Sequence, residues 1–352
     1  MPHADMGVVT WAGPDRLEIE RRRKPDAAPG WVVLRTDRVG ICGSDLSILH
    51  GHHARAQPGT VIGHEFIGTV VEVGSGVDLA VGTRGAVFPL ISCADHADGV
   101  VCDACAAGHP HVCARLGLYG VDEPGAFAEY VAVRAHSVVP LGDDVEDALA
   151  ALAEPLAVSV HAVERSGLEA GQAVAVFGGG PIGLLTAMVA RERGAGSVVV
   201  VEPNEWRAGV ARQLGFEVLA PDDAVTGIRE RTGGAGAHVV FDGAGHPSVT
   251  PQLTDAVRIR GTIVIVGVYA APPATDLRAV NFRELSIIGT RVYRRQDFVD
   301  AVALLDDDRL GLRGLPVLQF PLAEAEEAFV QAQKGIGSMK VLVAPNGGIL
   351  DV

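Results

Sequence analysis

Two short motifs place potential metal ligands in the first fifth of the chain. Cys42 begins a Cys-Gly-Ser-Asp segment, and His64 lies in a Gly-His-Glu segment 22 residues further on. A thiolate and an imidazole are ligands that zinc prefers, and a catalytic zinc needs a third protein ligand while its fourth position stays open for water or substrate. Glu154, in a Glu-Pro-Leu-Ala segment that follows a helix predicted over 146–153, is the best candidate for that third ligand.

The residues beside these ligands suggest how a proton would be handled. Ser44 follows Cys42 by two residues, so its hydroxyl would face a zinc-bound alcohol and take its proton. Asp45 is expected to orient the ring of His64 by accepting its other N–H. Two alternatives stay open. Ser44 would otherwise cap a helix that starts near Asp45, and Glu154 would otherwise be a capping or solvated carboxylate before a proline.

A second group of potential ligands is a cluster of cysteines. Of the five cysteines, four crowd into 21 residues as Cys93, Cys102, Cys105 and Cys113. An odd number cannot all form disulfides, and in a reducing compartment such a cluster indicates metal ligation. The interval after Cys93 is long, so Asp95, His96 or Asp98 is an alternative to Cys93 as a ligand.

A nucleotide-binding turn is predicted in the middle of the chain. The apolar run 173–177 predicts a buried strand, and it is followed at once by Gly178-x-Gly180-x-x-Gly183 and by an apolar helix from Ile182 to about Arg193. In this strand-to-helix context the glycines favour a dinucleotide site, with the pyrophosphate at the helix N-terminus. The binding residues would be Gly178, Gly180, Pro181, Ile182 and Gly183.

The next strand, 197–201, ends at Glu202. A carboxylate in that place accepts hydrogen bonds from the ribose hydroxyls and repels a 2′-phosphate, so NAD is favoured over NADP. Arg207 would line the adenine side.

Strand-like runs at 238–241, 261–268 and 285–288 follow. With the helical spacers between the earlier runs, they predict a doubly wound parallel sheet. Before residue 40, short strand-like runs broken by Pro and Gly predict an antiparallel, loop-rich beginning.

Composition excludes some classes of function. The chain has 352 residues, 48% of them hydrophobic, and a formal charge of −14 from 29 basic and 43 acidic residues, which argues against a nucleic-acid or anionic-membrane surface. The uncharged run 173–190 is interrupted midway by Gly-Gly-Gly-Pro, so a membrane span is not expected. The N-terminal residues lack the features of a signal peptide, and a cytoplasmic location is expected.

Taken in order, the Cys-Gly-Ser-Asp, Gly-His-Glu, four-cysteine, Glu-Pro-Leu-Ala and glycine motifs resemble those of the zinc-dependent medium-chain alcohol and polyol dehydrogenases. The resemblance covers nearly the whole chain and is closest to the branch of sorbitol, threonine, butanediol and glucose dehydrogenases. It implies an α/β fold, with a GroES-like β-rich catalytic domain at 1–157 and 293–352 and a Rossmann domain at 158–292. A lobe at about 90–116 would carry a structural zinc on the four cysteines.

The resemblance also implies two zinc ions per chain, one catalytic and one structural, with NAD as cofactor and an alcohol as small-molecule substrate. Glu65 would be either a direct zinc ligand or a neighbour that exchanges with substrate, and Val266 and Val268 would border the nicotinamide. Family members often have a proton-relay histidine where this chain has Ser47. Relatives from bacteria are commonly tetramers, so a homo-oligomer, tetramer or dimer, is expected, with an edge strand near 285–288 pairing between subunits.

The expected reaction is hydride transfer from a secondary alcohol of a polyol, cyclitol, sugar or vicinal diol to NAD. Three alternatives remain at this stage. The first is an enzyme of the same fold that uses NAD transiently while it rearranges a sugar. The second is a non-catalytic NAD-binding protein, and the third is a zinc-less quinone reductase; an intact set of Cys42, His64 and Glu154 argues against both of these.

Overall fold

The computed structural model describes residues 5–306 and 308–347. The strands are β1 Asp5–Gly13, β2 Arg16–Arg23, β3 Trp31–Gly40, β4 Thr60–Val61, β5 Glu65–Val73, β6 Arg84–Val87, β7 Leu90–Ile91, β8 Gly117–Leu118, β9 Tyr130–Arg134, β10 Val138–Pro140, β11 Ala173–Phe177, β12 Ser197–Val201, β13 Glu217–Leu219, β14 Ala237–Asp242, β15 Val257–Ile265, β16 Ser286–Gly289, β17 Val317–Pro321 and β18 Lys340–Ala344.

The α-helices are α1 Gly43–Leu49, α2 Asp103–Ala106, α3 Asp147–Ala150, α4 Ala153–Ser166, α5 Pro181–Glu192, α6 Glu205–Gln213, α7 Ala224–Arg231, α8 Thr250–Ala256, α9 Leu277–Phe282, α10 Arg295–Leu305 and α11 Ala325–Lys334. Within the described residues, no helix combines the length and the apolar character that crossing a membrane requires.

The chain divides into two compact units. The first contains the described parts of Met1–Glu154, Arg294–Asp307 and Pro316–Val352, and the second contains Pro155–Tyr293 and Asp308–Leu315. The sequence analysis assigned Asp308–Leu315 to the first unit. The structure groups this segment with the second, where Arg191 donates to the carbonyl of Leu310 at 3.4 Å and Arg309 pairs with Glu192 at 3.5 Å.

The first unit is β-rich, as the sequence predicts. Its largest sheet has the order β10-β6-β5-β3-β18-β17, with β9 also paired to β3, and β2-β1-β4 form a second, antiparallel sheet. The apolar faces enclose a core that includes Tyr119, Phe127 and Phe329. The rings of Phe127 and Phe329 lie 5.5 Å apart, and burial of each large side chain stabilises the fold by about 1.5–3 kcal/mol.

The second unit is the predicted doubly wound parallel sheet. Its strand order is β13-β12-β11-β14-β15-β16, and every neighbouring pair is parallel. The chain therefore starts in the middle of the sheet, moves outward to β13 and returns to the other side of β11. The C-terminal ends of β11 and β14 meet at this reversal, which is where open α/β sheets bind ligands.

One predicted helix is wrong. A single helix was expected from Glu146 to Ala153 with its end at Glu154, but α3 ends at Ala150 and the longer α4 starts at Ala153. Pro155 falls in the first turn of α4, where a missing N–H costs nothing because those amides have no partner within the helix. Proline therefore marks a helix start here and not a helix end.

Candidate active site and metal centres

Cys42 is held where a strand passes into a helix. The preceding residue, Ile41, donates its backbone N–H to Val341 of β18 at 2.9 Å, and Cys42 itself is the N-cap of α1. The carboxylate of Asp45 accepts the backbone N–H of Cys42 at 2.8 Å. Because Asp45 is completely buried, this hydrogen bond fixes the backbone that carries the Cys42 thiol.

His64 is placed by the glycine that precedes it. Gly63 has φ +98°, a conformation that side chains with a Cβ rarely adopt, and a Cβ here would lie 2.5 Å from the ring of Phe127. The turn at Gly63 leads the chain from β4 into β5, and His64, which directly precedes β5, is buried. Glycine is thus required both by the backbone conformation and by the close packing.

The structure brings three of the sequence-predicted ligands together. One ligand atom each from Cys42, His64 and Glu65 lies within 4.8 Å of the other two. Sulfur, nitrogen and carboxylate oxygen are the donor types found in zinc sites, and three protein ligands leave a fourth position open. This donor set therefore fits a catalytic zinc.

Ser44 and Asp45 occupy opposite sides of the His64 ring. The Ser44 hydroxyl oxygen lies 3.3 Å from Nε2 of His64, while a carboxylate oxygen of Asp45 lies 3.6 Å from Nδ1. Burial by itself favours the neutral ring and lowers the pKa of His64. The charge and hydrogen bond of Asp45, and to a smaller extent Cys42, outweigh this effect and raise the pKa of His64 well above its ordinary value. The N-cap position of α1 belongs to Cys42 and not to Ser44.

Glu154 lies in the first turn of α4 and is 8% exposed. Among the described residues it lies outside the close group of Cys42, His64 and Glu65. Its negative charge nevertheless acts on Lys340, which also interacts with Glu65 and Cys42. Glu154 is therefore a neighbour of the group, and Glu65 is the carboxylate that the fold brings into it.

Lys340 is a site residue that the sequence analysis missed. Its ammonium forms an ion pair with Oε2 of Glu65, and both side chains are buried. Burial favours the neutral amine, but the negative charges of Glu65, Cys42 and Glu154 outweigh it and raise the pKa of Lys340. The only signal in the sequence is a lysine at the start of an otherwise apolar final strand, and nothing there names its partner.

The four clustered cysteines form a second group. One sulfur from each of Cys93, Cys102, Cys105 and Cys113 lies within 4.8 Å of all the others, and Cys93 and Cys113 are 3.4 Å apart. Hydrogen bonds from the backbone N–H groups of Ala114 and Cys105 lower the pKa of Cys102 to about 6, whereas burial raises that of Cys105 to about 12. Four converging thiols fit a closed zinc site.

Two of the three alternative ligands in the loop after Cys93, Asp95 and Asp98, have other partners. Asp95 accepts the backbone N–H of Ser92 at 2.7 Å and pairs with His136 at 2.9 Å. Asp98 pairs with Arg115 at 2.6 Å. His96 lies outside the group of four thiols. The long first interval therefore forms a loop that leaves the cysteine positions together.

The glycine turn has the predicted geometry. Gly178 has φ +97° and lies against Ala244, a Cβ on Gly183 would collide with the carbonyl of Gly178, and Gly180 is the N-cap of α5. Pro181 is the first helical residue and is followed by Ile182 in the first turn. The helix N-terminus thus presents backbone N–H groups beside a turn that only glycine can form.

Glu202 closes the turn from the next strand. Its carboxylate accepts the backbone N–H of Gly179 at 2.6 Å and that of Asn204 at 2.8 Å, and it is 6% exposed. Arg207 lies in the first turn of α6, with a guanidinium nitrogen 3.8 Å from the place of a Cβ on Gly180. Both predicted residues therefore border the turn.

A hydrogen-bonded cluster around the buried Asp242, which the sequence analysis did not identify, lies at the end of β14. The hydroxyl of Tyr269 donates to Asp242 at 2.5 Å, and the other oxygen of Asp242 accepts from the N–H groups of Ala244 and Gly245, each at 3.1 Å. The carbonyl of Asp242 accepts the N–H of Val266 at 3.0 Å. Burial and the hydrogen bond to Asp242 raise the pKa of Tyr269 to about 12.

This cluster joins two turns, one after β14 and one after β15. The first, around Ala244, packs on Gly178, and the second contains Val266 and Val268. Val268 is 92% exposed, which is unusual for so apolar a side chain. Tyr269 therefore anchors the segment for which the sequence analysis expected a contact with the nicotinamide.

Two family models match the chain. Residues 28–143 match the alcohol dehydrogenase GroES-like domain, and residues 181–307 match the zinc-binding dehydrogenase domain. Among curated proteins, 2-dehydro-3-deoxy-L-galactonate 5-dehydrogenase of Pseudoalteromonas atlantica is 37% identical over 321 residues, which cover 90% of this chain and 92% of the relative.

Solved structures of dehydrogenases also match this chain. The crystal structure of 2R,3R-butanediol dehydrogenase from Bacillus subtilis matches with a TM-score of 0.89 and 31% identity, over 97% of this chain and 100% of that one. An alcohol dehydrogenase from E. coli CFT073, complexed with cofactor NADH, matches with a TM-score of 0.89 and 28% identity, again over 97% of this chain and 100% of that one.

Proposed function

This chain belongs to the zinc-dependent medium-chain dehydrogenase family and is an NAD-dependent alcohol dehydrogenase, and we propose that its substrate is a secondary alcohol of a polyol or a sugar acid. The family predicted from the motifs is thereby confirmed. The proposal is carried by the group of Cys42, His64 and Glu65 beside the Ser44 hydroxyl. The name of the sugar-acid dehydrogenase at 37% identity supports the substrate class.

In this proposal Cys42, His64 and Glu65 hold a catalytic zinc. When bound, zinc lowers the pKa of an alcohol and stabilises the negative charge left on its oxygen. Ser44 would accept the alcohol's proton at its hydroxyl oxygen while it releases its own hydroxyl proton, and Asp45 would orient the His64 ring. Ser47, one helical turn after Ser44, has no ring to pass the proton on, so the proton would leave through water.

The second unit would bind NAD. Gly178, Gly180 and Gly183 allow the pyrophosphate to reach the N-terminus of α5, where Pro181 and Ile182 form the first turn. Glu202 would accept hydrogen bonds from the ribose hydroxyls, and Arg207 would lie on the adenine side. The turns that contain Val266 and Val268 would border the nicotinamide, which supplies the redox chemistry.

The four clustered cysteines would hold a second, structural zinc, giving two zinc ions per chain. The support is the mutual approach of the four thiols and the free state of all five cysteines in the described chain. Thiols that bind zinc must stay reduced, so we assign the protein to a reducing, cytoplasmic environment.

We also propose that the protein is a homo-oligomer, a dimer or tetramer, that associates through β16. This strand lies at one edge of the parallel sheet, where β15 is its only partner in the described part of the chain. Ile287 within this strand is 42% exposed, and Leu277 and Phe282 in the preceding α9 are 69% and 77% exposed. An apolar sheet edge tends to pair with another chain. Light scattering of Ile287→Lys should show smaller particles than the parent, and unchanged particles would contradict this assignment.

The proposed function is tested by NADH formation. The purified protein is assayed with polyols, cyclitols, vicinal diols, aldonates, aldoses and threonine, with NAD and NADP in parallel. Cys42→Ala should abolish turnover, while Ser47→Ala, on the next turn of α1, should retain it. Absence of NADH with every substrate, in protein that contains zinc and binds NAD, would contradict the proposal. Conversion of a sugar without net NADH would identify transient use of NAD.

A further inference from the structure

The Glu65–Lys340 pair occupies a space that the fold keeps open for it. Glu65 lies opposite Gly40 in the β3–β5 pairing, and Leu342, two residues after Lys340, lies opposite Gly40 in the β3–β18 pairing. The two charged side chains therefore reach each other across the middle strand. A Cβ on Gly40 would lie 2.8 Å from Cε of Lys340 and would collide with Oε2 of Glu65.

This space is next to the candidate zinc ligands. Cys42 follows Gly40 by two residues, and Glu65 belongs both to the ion pair and to the group of close ligand atoms. Lys340 is almost completely buried and faces the acidic groups of Glu65, Cys42 and Glu154. A buried ammonium is costly unless it is paired, so its presence here calls for a role beyond packing.

We propose that Lys340 is a positioning residue that restricts Glu65 to binding zinc through one oxygen. With Oε2 held by the Lys340 ammonium, Glu65 has its other oxygen to offer to a metal. A carboxylate that is free to use both oxygens would fill the position that a catalytic zinc keeps for water or substrate. The inference rests on the proposed zinc site and identifies what keeps that site open.

The test uses full-length protein in which cobalt replaces zinc, because cobalt absorption reports the number of ligands without any turnover. Lys340→Met should bind cobalt with weaker visible absorption than the parent, by roughly two-fold or more, as expected when coordination increases beyond four. Its kcat should fall by about 10- to 100-fold, the usual effect of losing a group that orients a metal ligand. Lys340→Arg, which can still hold the carboxylate, should restore the absorption.

Two further variants link the effect to Glu65. With Glu65→Gln already in place, Lys340→Met should cause no additional spectral change, because glutamine has only one oxygen and its NH2 group does not bind a metal. Lys334→Met, at the end of α11, is the matched lysine control and should leave the spectrum unchanged. A folded Lys340→Met protein with the parent spectrum would overturn the proposal.

If Lys340→Met does not fold, Gly40→Ala tests whether Lys340 restricts Glu65 to one oxygen. The added methyl group displaces the pair without removing a charge, and it should change the cobalt spectrum in the same direction as Lys340→Met. A parent-like spectrum in this variant would overturn the proposal. Failure of the proposed function would look different, because the parent protein would then form no NADH whatever its cobalt spectrum.

Discussion

The hydroxyl oxygen of Ser44 lies 3.3 Å from Nε2 of His64, on the side of the ring opposite to Asp45. A hydroxyl in this place is beside the atoms that would hold a zinc-bound alcohol. We therefore expect Ser44→Ala to lower kcat by about 100-fold, at the lower end of the range for a positioned proton-transfer group. Zinc content and the KM for NAD should not change.

The matched controls for this prediction are Ser44→Thr, which keeps the hydroxyl, and Ser47→Ala, which removes a hydroxyl one helical turn away. Both should retain most of the parent kcat in steady-state assays. If Ser44→Ala and Ser47→Ala have equal kcat values, Ser44 is not the group that receives the proton.

Tyr269 is expected to determine how well the nicotinamide end of the cofactor is held. Its hydroxyl donates to Asp242, which in turn accepts two backbone N–H groups of the adjacent turn. A hydrogen bond to a charged group contributes about 1.5–3 kcal/mol, so Tyr269→Phe should raise the Kd for NADH by about ten-fold or more. Fluorescence titration measures this, with Tyr130→Phe in the other unit as control.

The same variant tests the ionisation of Tyr269. Because the folded protein raises its pKa to about 12 from an ordinary value of 10, folding favours the neutral phenol. The corresponding stability is complete below pH 10 and is lost as the pH rises to 12. Ultraviolet titration should show one fewer tyrosine ionising near pH 12 in Tyr269→Phe, and an unchanged titration curve would contradict the assignment.

The four-cysteine group is expected to hold zinc that stabilises the fold. Cys93→Ser should reduce bound zinc from two ions to one per chain and lower the free energy of unfolding by about 4 kcal/mol, as loss of a structural metal does. Asp98→Asn is the matched control, since Asp98 pairs with Arg115 instead. Elemental analysis and thermal melting measure both effects. Loss of zinc in Asp98→Asn, with both ions kept in Cys93→Ser, would favour an oxygen ligand.

Glu202 is expected to set the preference for NAD. In Glu202→Gln the charge that repels a 2′-phosphate is absent, so kcat/KM with NADP should rise relative to that with NAD by about ten-fold, equivalent to about 1.4 kcal/mol. Glu205→Gln, in the first turn of α6 with an exposed carboxylate, should leave the ratio as it is. A ratio that moves equally in both variants would show a general charge effect and not recognition by Glu202.

Local motifs were sufficient to predict most of the elements that carry the site. Runs of apolar residues predicted β11 and β12, and the glycine pattern predicted the start of α5, because strand periodicity and turn chemistry depend on neighbouring residues. The boundary at Glu154 was wrong because a proline suits the first turn of a helix as well as the residue after a helix end. The fold class was predicted correctly from the order of these local features.

The sequence by itself determined the residue types that zinc and NAD require, their order along the chain, and hence the family. Only the tertiary structure decided which carboxylate joins Cys42 and His64, and it chose Glu65, which the chain connects directly to His64, over Glu154. It also revealed Lys340 and Tyr269, whose partners are distant in the sequence. Such pairs depend on strand register and on the space left by Gly40, and no local pattern records which distant strands become neighbours.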